Sequence, residues 1–200
     1  MIVYIESIFI QELALQQEQH ETCDRIIQYC EERQIKLVFP SFCIAETLDT
    51  LGRRKQERTT FLRELERDLT QLKRSIDYQE TIDAITNIKY VLSRSIENDL
   101  PRLENTIDRI ARTAETIPFD IGLFTGSSLY RELFNKPQDR IIYHCVLKHL
   151  DQVPQETEKC FITRDKDFDD PDLKDNLEKM NCRLFFDFND SLKYIESRIR

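Results

Sequence analysis

The spacing of hydrophobic positions changes several times along the chain, and each change marks an element. Ile2 to Ile5 is a short apolar, mostly β-branched run, the pattern of a buried strand, with Glu6 and Ser7 directly after it. A helix is expected from about Gln11 to Arg33, with Leu13, Cys23, Ile26, Ile27 and Cys30 as an apolar stripe. Lys36 to Phe39 reads as a second strand closed by Pro40. Ser41 is placed to cap a helix with Ile44, Leu48 and Leu51 on one face. Glu46 lies in that helix, too deep for a capping box and three and four residues beyond Cys43 and Phe42.

From Arg53 to about Glu115 the pattern becomes purely helical and lacks glycine. Leu62, Leu65, Leu69, Leu72 and Ile76 step by 3 and 4, as do Ile96, Leu100, Leu103, Ile107, Ile110 and Ala114. Ile82, Ile85, Ile88 and Leu92 keep a helical period between them, and Pro101 is placed to kink or restart the last helix. This predicts an inserted α-helical hairpin or short coiled coil at 53–116, flanked by the two parts of an α/β domain at 1–52 and 117–200. The insertion is expected to project from the sheet as an independent subdomain.

Ile117-Pro118-Phe119 closes that segment, and Gly122 to Ser128 reads as a loose loop before a short helix at Tyr130 to Phe134. Lys136-Pro137-Gln138-Asp139 opens a helix bearing Ile141, Ile142, Cys145, Val146 and Leu150. Asp139 falls in its first turn, where an acid also complements the helix dipole. Cys160 to Thr163 is a buried strand followed at once by Asp165 and Asp167. Asp170-Pro171 opens a helix to about Met180, Arg183 to Phe186 is the last strand, and Asn189 or Asp190 caps a helix to Arg200. Strands alternating with helices in this order predict a three-layer α/β/α fold around a parallel sheet.

Composition narrows the function. The chain has 29 basic against 37 acidic residues, a net charge of −8, and only three glycines. That acidity argues against a protein that coats nucleic acid non-specifically, but not against a nuclease whose acids bind metal while local Arg and Lys hold phosphates. The six cysteines show no CxxC pair and no zinc spacing with histidine, and most sit in apolar runs as free buried thiols do. No signal peptide or membrane span is read from the sequence, so a cytoplasmic protein without a membrane role is expected. His20, His144 and His149 form no triad and are expected in structural or surface roles.

The acids form the chemical pattern. In open α/β sheets ligands bind beyond the carboxyl ends of the strands, where Asp165 and Asp167 fall with the Thr163 hydroxyl beside them. Such hard oxygen donors suit Mg²⁺ or Mn²⁺. Glu6 after the first strand, Glu46 in a following helix, Asp139 at a later helix start, and Phe161-Ile-Thr-Arg-Asp-Lys-Asp-Phe168 together resemble the PIN domain family of metal-dependent nucleases. The resemblance covers roughly 1–52 and 117–200. It implies metal on Glu6, Glu46, Asp139 and Asp165, with Asp167 as a further ligand or an outer group behind the ligands, an RNA substrate, and phosphodiester hydrolysis. A toxin of a toxin–antitoxin pair, with an antitoxin as partner, is one form of this reading. A PIN fold of weak activity that docks a partner or a second copy through its helical insertion is the other.

Two positions depart from the family pattern, which has Asp at the first strand's end and Asn two residues later. This chain has Glu6 and Ile8, an extra methylene and a lost polar group that favour Mn²⁺ over the geometrically stricter Mg²⁺. Thr163, Arg164, Lys166 and Arg140 flank the acids, and Arg53 and Arg54 follow Glu46. These are the expected substrate contacts.

Overall fold

The structure, a computed structural model, describes residues 1–199; the side chains of residues 79–84 and 86 lie outside the description. The side chain of Ile82, counted above in the hairpin's apolar row, and all of Arg200 are therefore outside it. Five parallel strands form one sheet: β1 (Ile2–Ile5), β2 (Lys36–Pro40), β3 (Glu115–Ile117), β4 (Lys159–Ile162) and β5 (Cys182–Phe185). Their order across the sheet is β3-β2-β1-β4-β5. Every residue of β1 and β4 is buried, as strands covered on both faces must be. The chain runs outward from β1 to β2 and β3, then returns to the other side of β1 for β4. The switch point therefore opens at the carboxyl ends of β1 and β4.

Among the described residues, eight α-helices cover the sheet and extend from it: α1 (Ser7–Ala14), α2 (His20–Glu31), α3 (Phe42–Leu72), α4 (Ile82–Thr113), α5 (Ile121–Gly126), α6 (Pro137–Leu150), α7 (Pro171–Lys179) and α8 (Phe188–Arg198). The single helix expected at 11–33 is two helices. Gln16 takes the left-handed conformation (φ 51°), and the Glu12 carboxylate accepts from the Gln19 backbone N–H at 2.5 Å. The strand β3 was not expected, since Glu115-Thr116-Ile117 is too short to show a period.

Two further assignments change. Residues 121–126 are helical where a loop was expected, with Asp120 capping them at Leu123, and Ser127–Tyr130 is a 3₁₀ turn. Gly126 lies against the His144 ring, and a Cβ there would force that ring to move. The cap of α8 is Asp187, whose carboxylate accepts from the backbone N–H groups of Asn189 and Asp190.

The long helices α3 and α4 pack on each other as an antiparallel hairpin. The boundary expected at 52/53 falls inside α3, which starts beside β2 and runs on without a break. Near the other end, Leu103 and Ile110 of α4 are 1% exposed and belong to the same core as β1. Pro101 sits inside α4, which continues through it. Phe61, Ile76 and Val91, farther along the hairpin, are exposed.

Candidate active site

The register of β1 on β4 pairs Ile5 with Ile162, so the next residues, Glu6 and Thr163, emerge side by side. Glu6 is 2% exposed and caps α1. One carboxylate oxygen accepts from the Ile8 N–H at 2.7 Å and the Ser7 hydroxyl at 3.0 Å. The other accepts from the Thr163 hydroxyl at 3.0 Å. Burial outweighs these donors and pushes the Glu6 carboxyl up to about 8. Thr163 in turn accepts from the Asp165 N–H at 2.9 Å, tying the two strand exits together.

A second group of acids is held differently. Oxygens of Asp139, Asp165 and Asp167 all lie within 4.8 Å of one another. Asp139 comes from the first turn of α6. Asp165 caps the 3₁₀ turn Lys166–Phe168, accepting from the Asp167 N–H. Among the described residues the shared neutralising group is the Lys136 ammonium, at 2.6 Å from Asp167, 3.7 Å from Asp165 and 3.8 Å from Asp139. The last distance is too long for a hydrogen bond, and the buried Asp139 Oδ2 has no hydrogen-bond partner. Burial, then the neighbouring Asp165 charge, pushes the Asp139 carboxyl up to about 7. Asp167 is held below its ordinary range by its hydrogen bond to Lys136.

Glu46 stands between the groups. Burial raises its carboxyl, with Asp165 adding repulsion and Lys136 and Arg53 opposing it. Its Oε2 is buried without a partner. The Ser7 hydroxyl lies near both Glu46 and Glu6, and its single proton can serve one of them at a time.

The structure thus gathers Asp139, Asp165 and Asp167, sets Glu46 beside them, and leaves Glu6 outside the three. Glu6 was expected to face Asp139 and Asp165; its carboxylate is instead bonded to the start of α1 and to the Thr163 hydroxyl. The expected substrate contacts are dispersed. Arg164 donates to Glu12 at 3.0 Å and Glu18 at 3.2 Å, and Lys166 lies over the Phe186 ring. Arg53 pairs with Asp49, and the buried Arg140 Nε has no partner. The sequence reading missed Lys136 and Ser7. Lys136 did carry a signal: a cation at a helix N-terminus opposes the dipole, so its presence there asks for carboxylates nearby.

This donor set fits a divalent cation. All the donors are carboxylate oxygens, and the Asp139 Oδ2 and Glu46 Oε2 are buried acceptors without donors. Three carboxylates against one ammonium leave two negative charges when all are ionised. Fold and site define an α/β protein with an acidic centre at its switch point. The chain belongs to the PIN domain family, whose family model matches residues 3–168, and so to a nuclease superfamily whose members generally depend on divalent metal and act on RNA. No curated protein and no solved structure gave a significant match. Among the described residues no helix is long and apolar enough to cross a membrane.

Proposed function

We propose that the protein is a divalent-metal-dependent endoribonuclease whose ion, Mg²⁺ or Mn²⁺, is held by Asp139, Asp165 and Asp167. The observation that carries this reading is the buried, partnerless Asp139 Oδ2 facing two further carboxylates and a single lysine. A bound cation would supply charge stabilisation at the scissile phosphate and acidity for an attacking water. The Glu46 carboxyl, raised by burial and with its Oε2 unpartnered, would accept the proton of that water. Lys136, once exchanged from the carboxylates, presents its ammonium to the phosphate. Glu6 acts as a positioning residue that holds Thr163, and through it the Asp165 backbone.

Metal titration by calorimetry, with cleavage of single-stranded and structured RNA, tests this. Wild type should bind and cut, and Asp165→Asn should do neither. A wild type that binds no divalent ion would end the reading. The toxin form rests on the resemblance alone, and is tested by growth arrest on expression and its relief by a partner. The competing reading, a PIN fold used mainly for binding, is favoured by the ammonium already seated among the three aspartates. Metal-independent RNA or protein binding without cleavage would support it.

A further inference from the structure

The hairpin carries a feature that the acidic centre does not use. Between α3 and α4 runs a groove of about 520 Å³ whose walls include Arg54, Arg58, Arg94 and Arg102. In a chain of net charge −8, four guanidinium groups in one groove are a local reversal of sign. Asp99 is the single acid on its walls among the described residues, and its carboxylate is taken by Arg58 at 2.5 Å. Arg54, Arg94 and Arg102 have no carboxylate partner among the described residues. Repulsion among three such cations is tolerable only in water or against an anion.

Tyr90 stands on the same wall and is 60% exposed, with the Arg94 guanidinium over its ring at 5.7 Å and bonded to its hydroxyl at 3.2 Å. An exposed tyrosine beside arginines that no carboxylate among the described residues pairs offers a stacking face next to phosphate donors. Helix α3 links this groove to the acidic centre. Arg53 is near enough to influence Glu46, and Arg54 is the next residue. The rise from Glu46 to Arg54 is about 12 Å.

We propose that this groove is a binding site for single-stranded RNA, taking backbone phosphates on Arg54, Arg94 and Arg102 and a base on Tyr90, at a distance from the acidic centre. The proposal rests on the nucleic-acid reading above and names where that substrate is gripped. Duplex RNA fits the observations less well, since its bases are stacked away from a tyrosine.

The test is fluorescence anisotropy with a labelled single-stranded RNA in EDTA, so that neither metal nor cleavage is needed. The variant is Arg54→Gln/Arg94→Gln/Arg102→Gln, which leaves the Arg58–Asp99 pair intact, and its fold is checked by circular dichroism. The expected result is roughly a 30- to 100-fold weaker affinity and a salt dependence shallower by about 2 in log–log slope. Tyr90→Ala should weaken binding by roughly tenfold. Unchanged affinity and slope in a folded triple variant would overturn the proposal. So would poly-glutamate competing as well as RNA, which would assign the groove to an acidic protein. A wild type that never cleaves RNA would sink the nuclease reading and leave this binding measurement standing.

Discussion

Two acidic places lie along one rim of the sheet, and they differ in what surrounds them. Glu6 is met by three hydrogen-bond donors from its own chain. Asp139, Asp165 and Asp167 converge on each other and share one lysine. The number of acids at a strand exit does not make a metal centre. The balance of donors against carboxylates does, because donors already meet most of the lone pairs of Glu6, whereas the buried Asp139 Oδ2 has none and is open to a cation.

Substitution at the two places should separate them most sharply. Asp139→Asn removes the charge that lacks a donor and is expected to lower RNA cleavage by roughly 10²–10³-fold, with calorimetric divalent binding lost. Glu6→Gln should keep divalent affinity within about twofold, since its amide can still accept from Ile8. Equal loss of metal in both variants would break the comparison and return Glu6 to the ligand set. Stability should respond in the opposite sense. Glu6→Ala strips the cap from α1 and leaves buried donors unmatched, costing roughly 1–3 kcal/mol in urea unfolding. Asp139→Asn should leave the metal-free protein as stable as wild type or more so.

What the sequence made readable follows the same division. Runs such as Ile2–Ile5 and Cys160–Thr163 are apolar on both faces and could be recognised without neighbours, and the acids after them were found with them. Three-residue β3 has no period to recognise, and its pairing with β2 exists only in the assembled sheet. The break at Gln16 depends on a left-handed residue and a carboxylate reaching seven positions along, neither of which a hydrophobic stripe records. The direction of the Glu6 side chain was equally hidden. Position alone put its carboxylate at the rim, whereas the local N–H and hydroxyl donors decided where it went.

Acidity offers a further way to divide the two places. Glu6 and Asp139 both hold protons more tightly when folded, at about 8 and about 7. Each therefore contributes stability that is complete below the ordinary carboxylate range and is lost as pH rises through its folded value. In EDTA the melting temperature should fall between about pH 5 and about pH 9. With Mn²⁺ present, the part belonging to Asp139 should disappear, because the cation favours the ionised carboxylate. The part belonging to Glu6 should remain. A fall that Mn²⁺ removes entirely would show that Glu6 also faces the ion.

The smallest expected effect concerns Lys136, which makes the comparison adjustable. Its ammonium is more than half exposed, so solvent weakens its hold on the three aspartates, and it can be exchanged at modest cost. A divalent ion entering the triad must displace it or share the carboxylates with it. Lys136→Gln removes that competitor and should tighten Mn²⁺ binding by roughly fivefold. It should also lower the melting temperature in EDTA, since the carboxylates then face one another without a counter-charge. If Lys136 also meets the phosphate, the variant should cut RNA more slowly even at saturating Mn²⁺. Tighter metal binding with slower cleavage is thus the joint signature of a lysine that gives way to the ion and then serves the substrate. Weaker metal binding would mean that Lys136 positions the carboxylates and does not compete for them.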